Sequence, residues 1–371
     1  MPWPAAKKVE LGQLFPRCST LSKGGYVMYK KKASHWISAA MFLVFVMLGG
    51  VSSASAKTQI IFADFGWDSA QVHNRIAGII IEKGLGYPIK FIQGETIMLN
   101  TALIQAKGGE APNVNMESWT ENWQELYDEG LAKGNDPNSE EGFVNLGANF
   151  PNSVQGWYVP RYVVEGDPAR GIKPMAPDLK SVFDLPKYWK LFKDPEDPTK
   201  GRFYSCIPGW SCALVNEKKF EAYGIKKYYN IMQPGSGPAL AASMETAYKR
   251  GKPWLGYYWA PTWVLGKLDM YQLEEPPFDK QVWDTTKACA YPAVKCDILV
   301  YKKLPQQAPD VVAFLKKYET TLDINNKFLA YMQDNKATTE AAAIWFLKQY
   351  ESLWTQWVSA EVAAKVKAAI Q

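Results

Sequence analysis

The pattern of apolar and polar residues from position 58 onward predicts strands that alternate with helices. The segment TQIIFADFG at 58–66 alternates and is rich in Ile and Phe, as a strand is, and 69–84 then places apolar residues on one helical face. The same order repeats, with strands at 87–93 and 113–119 and helices at 96–107 and 121–129. This alternation predicts an α/β fold with a parallel sheet and flanking helices.

Two tryptophans stand where strands of this predicted sheet end. Trp67 follows the first strand directly after Gly66, and Trp119 closes the third strand after Ser118. Ligands of open α/β sheets bind beyond the carboxyl ends of the strands. We therefore expect both indole rings near a binding site.

The rest of the chain predicts a second lobe and a helical C-terminus. A second set of elements begins near Gly156, and the pattern after Pro309 is helical. A length of 371 residues is typical of two domains or two lobes of one domain. We predict a first lobe formed by 57–155 with 270–371 and a second lobe formed by 156–269.

Residues 1–56 have the composition of a leader with a secretory signal peptide. Three lysines at 30–32 precede an apolar run at 37–51, and small residues including Ala54-Ser55-Ala56 follow it. A positive flank, a short apolar stretch and an A-x-A site are the features of such a signal, so we predict cleavage before Lys57 and a periplasmic product. A retained anchor helix is the alternative reading of the apolar run. Met28 is a second candidate start residue.

Removal of this leader changes the net charge of the chain from positive to slightly negative. The whole chain has 42 Lys and Arg against 37 Asp and Glu, a formal charge of +5. Residues 1–56 carry seven of those cations and one of those anions, so the remaining chain has a formal charge of −1. A nucleic-acid partner therefore has no support from charge.

The cleaved chain retains four cysteines in two close pairs. Cys206 stands near Cys212, and Cys289 stands near Cys296. In an exported chain an even number at short spacing predicts disulfides. Three connectivities are open, and the spacing favours the two local pairs. No cysteine follows the apolar run at a lipid-attachment position, which agrees with a released protein.

Catalytic and metal-binding patterns are weak in this sequence. His73 is the one histidine after residue 56, and no G-x-S-x-G, H-E-x-x-H or Walker segment occurs. The acidic loop GNDPNSEEG at 134–142, around Asp136, has Glu141 at a position where a calcium loop needs glycine, so a solvated loop is favoured over a metal site. We therefore expect that the protein is not an enzyme and that it binds neither a cofactor nor a metal ion.

Thirteen of the 15 tryptophans lie after residue 56, and eight of them form two sets that their positions distinguish. Trp345, Trp354 and Trp357 have the spacing of a helical core. The other set lies at turns or strand ends beside Gly, Pro or Ser: Trp67, Trp119, Trp157, Trp210 and Trp259. Several aromatic faces around one cleft attract a methylated cation by roughly 0.5–2 kcal/mol each.

Four short segments carry a resemblance to a known family. They are FGWD at 65–68, ESWT at 117–120, CIPGWSC at 206–212 and GYYWAPTW at 256–263. Together they resemble the glycine betaine/proline betaine-binding proteins of ABC importers, over nearly all of the chain after residue 56. The resemblance implies a two-lobed periplasmic-binding-protein fold that closes over its ligand by a hinge motion.

The resemblance also implies a set of ligand contacts. Tryptophans at the positions of Trp119, Trp210 and Trp259 would box a trimethylammonium group. The backbone N–H groups of Ser211 and Cys212 would hold a carboxylate, with a Cys206–Cys212 disulfide fixing their loop.

Further contacts are implied by relatives that bind choline. These relatives add aromatic residues at the position of Trp67 and near Trp157, and Asp68 would receive a hydroxyl or balance the cation. Trp123 and Thr262 replace histidines of some betaine-binding members. These replacements put a carboxylate ligand in question and suit choline, trimethylamine N-oxide or dimethylsulfoniopropionate.

The sequence therefore predicts a monomeric periplasmic receptor that captures glycine betaine or a related methylated onium osmolyte and delivers it to an ABC permease in the inner membrane. Two alternatives belong to other classes. A secreted hydrolase would need a paired carboxylate or a nucleophile in the cleft. A sugar-binding module would stack single tryptophans on pyranose rings.

Overall fold

The computed structural model describes residues 57–371. Its strands are β1 Ile60–Phe65, β2 Ile89–Gly94, β3 Val114–Trp119, β4 Phe143–Pro160, β5 Gly201–Tyr204, β6 Tyr229–Met232, β7 Gly256–Ala260, β8 Met270–Gln272 and β9 Val294–Tyr301. Its helices are α1 Asp68–Ile79, α2 Thr96–Ile104, α3 Gln124–Asn135, α4 Arg161–Val164, α5 Leu185–Tyr188, α6 Ser211–Ala222, α7 Gly237–Lys249, α8 Trp263–Lys267, α9 Lys280–Thr285, α10 Leu304–Gln307, α11 Pro309–Leu315, α12 Leu322–Asn335, α13 Thr339–Gln349, α14 Glu351–Trp354 and α15 Ala360–Ala369.

These elements confirm the predicted α/β class. The predicted signal peptide and its cleavage site lie outside the described residues. Within residues 57–371, no helix combines the length and the apolar character that crossing a membrane requires.

The first sheet contains the three strands that the sequence predicts. β1 lies between β2 and β3 and pairs in parallel with both. β9, from the far end of the chain, then pairs antiparallel with β3, and β4 pairs antiparallel with β9. The sheet is therefore mixed, because a strand that arrives from the second half of the chain completes it.

One long strand joins the two sheets. The first part of β4, from Phe143 to Ser153, pairs with β9, and the part from Val154 to Pro160 pairs with β7 and β8. β7 then pairs in parallel with β5, and β5 with β6. The second sheet thus includes β8, which begins at Met270. The division into lobes of 57–155 with 270–371 and of 156–269 remains a prediction.

Two large apolar clusters hold the sheets and helices together. β1 and β3 pack through Ile60, Phe62 and Met116 against the C-terminal helices, where Trp354 and Trp357 are buried as the helical spacing predicts. The core of the second sheet is built around Phe203, Phe220 and other aromatic rings. The second cluster also includes Phe65, Trp67 and Trp119 of the first sheet, so the aromatic residues at the ends of β1 and β3 pack together with those of the second sheet.

The predicted disulfide between Cys289 and Cys296 is wrong. Both cysteines are buried and free. Cys296 lies within β9, and its sulfur is 3.4 Å from the Ser153 hydroxyl, whereas Cys289 follows α9 and its thiol faces the Asp279 carbonyl at 3.6 Å. Short spacing in the sequence does not bring these two sulfur atoms together, because Cys296 is fixed in β9 and Cys289 belongs to a packed loop.

The acidic loop at 134–142 is organised by a lysine. The Lys302 ammonium donates hydrogen bonds to the backbone carbonyls of Lys133, Asp136 and Ser139. Among residues 57–371, no group of three or more His, Cys, Asp or Glu side chains is arranged to hold a metal ion. The carbonyls of this loop therefore already have a cationic partner from the protein.

Candidate functional site

Four tryptophans from both sheets line one small pocket. Trp67 follows β1 and Trp119 ends β3, so both extend from the first sheet. Trp210 precedes α6, and Trp259 lies in β7 of the second sheet. The pocket has a volume of about 30 Å³, and its lining comprises Trp67, Thr96, Trp119, Asn122, Trp210, Ser211, Cys212, Tyr257 and Trp259. The structure therefore brings together four of the five tryptophans that the sequence singles out.

Trp210 occupies the middle of the aromatic set. Its ring is nearly perpendicular to Trp67, with 5.4 Å between centroids, and to Trp259, with 5.1 Å. Phe65 stacks behind Trp67 at 4.6 Å, and Tyr258 stacks on Trp259 at 4.8 Å. Faces and edges at right angles form the walls of a box, which is the arrangement that suits a compact methylated cation.

The two tryptophans of the first sheet share one buried hydrogen-bond acceptor. Glu117 Oε1 accepts from Trp67 Nε1 at 2.8 Å and from Trp119 Nε1 at 2.9 Å, and the Ser69 hydroxyl donates to the same oxygen at 3.0 Å. Helix α1 begins at Asp68, with Trp67 as its N-cap residue, so Ser69 lies in the first turn and directs its hydroxyl to Glu117. These bonds fix both indole planes.

The N-terminus of α6 adds an anion-binding element to the pocket. The helix runs from Ser211 for 12 residues, and Trp210, its N-cap residue, provides no side-chain cap. The first N–H groups of a helix lack intrahelical partners and lie at the positive end of its dipole. Ser211 and Cys212 line the pocket, so this helix end is placed to hold a negatively charged oxygen.

The loop before α6 is held closely against the first lobe. Cys206 and Cys212 form the predicted disulfide across this loop. Gly209 has φ +91°, and a Cβ at this position would approach the Glu95 Cβ to 2.8 Å. A glycine is therefore required both by the left-handed backbone and by the close contact between the lobes.

We expect the double variant Cys206→Ser/Cys212→Ser to lose about 2 kcal/mol of unfolding free energy, because the short loop that the bond closes gains chain entropy in the unfolded state. Ligand affinity should fall as well, since the loop carries Trp210. Urea unfolding with and without a thiol reductant measures the first effect. Reductant should destabilise the wild type and leave the double variant unchanged. A reductant effect that persists in the double variant would instead indicate a bond between Cys289 and Cys296.

A second cavity adjoins the pocket and shares Trp67 and Trp259 with it. Its volume is about 260 Å³, and it is also lined by Asp68, Glu245 and Thr262. Desolvation raises the pKa of Asp68 above its ordinary value, although the residue still meets solvent. Asp68 is thus near the aromatic pocket and lines the adjoining cavity.

The structure does not bring Trp157 to the pocket. Trp157 is fully buried within β4, where it packs against Phe203 and Phe220 and donates a hydrogen bond from Nε1 to Asn216 Oδ1 at 2.8 Å. The prediction of a ligand contact at Trp157 is wrong for this conformation. The flanking Gly156 lies inside a strand rather than in a turn.

Trp123 also lies outside the four-tryptophan pocket. It packs against Tyr127 and Phe143 and faces a separate surface cavity that Ser211 and Leu214 also line. Trp123 is the last residue of a short 3₁₀ turn after β3, and this turn directs the ring away from the other tryptophans. Trp123, which the sequence predicts as a ligand contact, is therefore not part of the aromatic box in this structure.

Sequence reasoning missed four residues that shape the pocket. Tyr257 and Asn122 line it and are tied together by Gln155, whose Oε1 accepts from the Tyr257 hydroxyl at 2.7 Å and from Asn122 Nδ2 at 2.8 Å. Thr96, at the start of α2, also lines it. Glu117 could have been found, because residues i and i+2 of a strand share a face and Glu117 is two residues before Trp119.

Comparison with protein families identifies one match over most of the chain. The family model described as the substrate binding domain of an ABC-type glycine betaine transport system matches residues 58–349. This span includes all four tryptophans of the pocket, Glu117 and the disulfide-closed loop.

Two curated relatives and one solved structure illustrate the similarity. The trimethylamine N-oxide-binding protein of Pelagibacter ubique is 23% identical over 88% of this chain and 98% of its own length. The glycine betaine/proline betaine-binding periplasmic protein of Salmonella typhimurium is 24% identical over 66% of this chain and 74% of its own length. The crystal structure of a glycine betaine, L-proline-binding protein from Borrelia burgdorferi matches with a TM-score of 0.66 at 18% identity, covering 83% of this chain and all of that chain. The structural match supports the predicted two-lobed fold.

Proposed function

The chain belongs to the family of substrate-binding domains of ABC-type glycine betaine transport systems, and on this premise we propose that it captures a methylated onium osmolyte in the pocket of four tryptophans. Glycine betaine or a close relative is the proposed ligand. The observation that carries the proposal is that Trp67, Trp119, Trp210 and Trp259, from two sheets, meet at the N-terminus of α6.

The chemistry of the lining fits a zwitterion with a methylated head. A quaternary ammonium group has no N–H to donate, so aromatic faces are the protein groups that stabilise it best. The free N–H groups at Ser211 and Cys212 complement a carboxylate or an N-oxide oxygen at the other end of the ligand. The nine residues that line the pocket include no Lys, Arg or His, so α6 supplies the positive potential for that oxygen.

The size of the pocket favours small members of the onium class. Its volume of about 30 Å³ holds little more than one or two water molecules, and Trp210 touches both neighbouring rings. Any ligand must therefore separate the rings, and the required movement increases with ligand size. This favours trimethylamine N-oxide as a second candidate, which is also what the Pelagibacter ubique relative is named for. Choline and dimethylsulfoniopropionate complete the set.

The proposed receptor acts by closure of its lobes on the ligand. Two tryptophans belong to each lobe, so the box is complete only when the lobes approach each other. The closed form would then deliver the ligand to a permease in the inner membrane. We propose that the protein is a monomer exported to the periplasm, with Lys57 as the first residue after cleavage. Mass spectrometry of the periplasmic protein, with a start at Lys57 as the expected result, tests this part.

Binding is tested by titrating protein that starts at Lys57 with glycine betaine, trimethylamine N-oxide, choline and dimethylsulfoniopropionate, following heat and tryptophan fluorescence. At least one of them should bind with Kd below about 100 μM, a binding free energy of roughly 5.5 kcal/mol. Glucose, as a monosaccharide control, should not compete. If none of the four binds, or if a monosaccharide displaces them, the proposed function fails. Turnover of any of the four would instead indicate an enzyme.

A further inference from the structure

Glu117 has a geometry that packing alone does not require. Its side chain is buried behind Trp67 and Trp119, with 1% exposure, and one oxygen accepts all three hydrogen bonds described above. The other oxygen, Oε2, is also buried and has no hydrogen-bond partner among residues 57–371. Glu117 does not line the pocket, so it acts on a ligand through the two indole rings.

The groups around Glu117 stay uncharged near neutral pH. Cys296 from β9 and Tyr318 after α11 face it, and burial raises the pKa of both well above their ordinary values. His73 of α1, which lies 2.8 Å from the Tyr318 hydroxyl, has its pKa lowered by burial to about 3. The Asn115 side chain accepts from the Glu117 backbone N–H. No Lys or Arg in the described part of the chain forms an ion pair with Glu117.

Glu117 itself titrates in the neutral range. Burial raises its pKa to about 7, and the hydrogen bonds from Trp119, Trp67 and Ser69 limit that rise because they stabilise the carboxylate. Half of the free protein therefore carries a neutral Glu117 near pH 7. Glu117 contacts the N–H edges of the two rings, and a cation placed against their faces favours the ionised carboxylate, since opposite charges attract most strongly where water is excluded.

We propose that Glu117 is the positioning residue of the aromatic box and its proton-linked counter-charge, so that capture of an onium cation releases a proton from the Glu117 carboxyl to solvent. The inference rests on the proposed function and deepens it. A counter-charge at Glu117 favours ligands whose head group carries a permanent positive charge. It also makes the affinity for glycine betaine depend on pH, although glycine betaine itself does not titrate in the neutral range.

The first test compares the wild type with Glu117→Gln between pH 5.5 and 8.5, using glycine betaine in calorimetry. The amide oxygen of glutamine can still accept from both indoles, so the variant keeps the rings in place and removes the charge. The affinity of the wild type should rise about tenfold across this range, because ionised Glu117 becomes the dominant form. The variant should show a flat profile and match the wild type near pH 5.5.

The second test measures proton release directly. Calorimetry at pH 7 in two buffers of different ionisation enthalpy should give about half a proton released per glycine betaine bound by the wild type, and none by Glu117→Gln. Glu121→Gln is the matched control, because Glu121 is also partly buried near the end of β3 but does not bond to the indoles. This control should retain the pH profile and the proton release of the wild type.

The outcomes separate this inference from the proposed function. Absence of onium binding by the wild type overturns both. Binding with no proton release, or a pH profile shared by the wild type and Glu117→Gln, overturns the role of Glu117 alone. If Glu117→Gln does not fold, as judged by circular dichroism, the wild-type proton count still tests the inference, because absence of proton release on binding overturns it.

Discussion

Trp210→Ala should weaken glycine betaine binding about thirtyfold, and Trp259→Ala should weaken it more than tenfold. A desolvated aromatic face contributes roughly 2 kcal/mol to a methylated cation, and about 1.4 kcal/mol corresponds to a tenfold change in Kd. Trp210 has the larger expected effect because it touches both Trp67 and Trp259 and sets the start of α6. Removing it opens the box and loosens the helix end that receives the oxygen of the ligand.

The matched control is Trp345→Ala. Trp345 is half-buried and stacks on Tyr331 at 4.9 Å in the C-terminal helices, away from the pocket, so the variant loses an indole without affecting the ligand site. Its affinity should equal that of the wild type. Calorimetric titration, with circular dichroism to verify folding, provides the comparison. If Trp210→Ala binds as tightly as Trp345→Ala, the tryptophan pocket is not the ligand site.

The sequence could predict the tryptophans of the first lobe for a local reason. Trp67 and Trp119 each stand at the end of a strand, and parallel neighbours in a sheet bring such ends together. Alternation of apolar residues is sufficient to locate those strands. The prediction that Trp210 and Trp259 join the same box depended on the short motifs around them. Their elements belong to a second sheet, and its strand order β4-β7-β5-β6 does not follow the chain.

Trp157 shows why neighbouring residues can mislead. Next to Gly156 it resembles a turn residue, but β4 is 18 residues long and continues through both sheets. Which face of that strand meets the cleft depends on register, and a shift of one residue exchanges the faces. The side chain of Asn216 in α6, a distant residue, receives the Trp157 N–H and completes its burial. No pattern near Trp157 in the sequence indicates that partner.

A buried ion pair beneath α6 was also invisible in the sequence. Lys219 of α6 is fully buried, and its ammonium bonds to Glu275 and to the Cys289 carbonyl. The Tyr223 hydroxyl donates to the same Glu275 oxygen at 2.7 Å. Burial lowers the pKa of Lys219 and raises that of Glu275, while the attraction between them opposes both shifts. The pair joins α6, whose first turn lines the pocket, to the segment that leads back to the first sheet.

Lys219→Met should lower the unfolding free energy by about 3–5 kcal/mol, because it leaves the Glu275 carboxylate buried without its counter-ion. Lys219→Met/Glu275→Gln should recover most of that loss, since a neutral amide can still accept from Tyr223 and no charge is then buried alone. Urea unfolding of the three proteins measures both effects. Lys327→Met is the control: its partner Asp323 and Lys327 itself are exposed, so stability should be nearly unchanged.

The double variant also distinguishes an ion pair that stabilises the fold from one that orients the site. If its stability recovers but its glycine betaine affinity does not, then the pair is needed to hold α6 at the angle that presents Ser211 and Cys212 to the ligand. If both recover, the pair serves folding only, and the disulfide-closed loop is sufficient to place the helix end. A double variant as unstable as Lys219→Met would contradict the argument, because the cost would then come from lost packing of the lysine chain and not from an unpaired carboxylate.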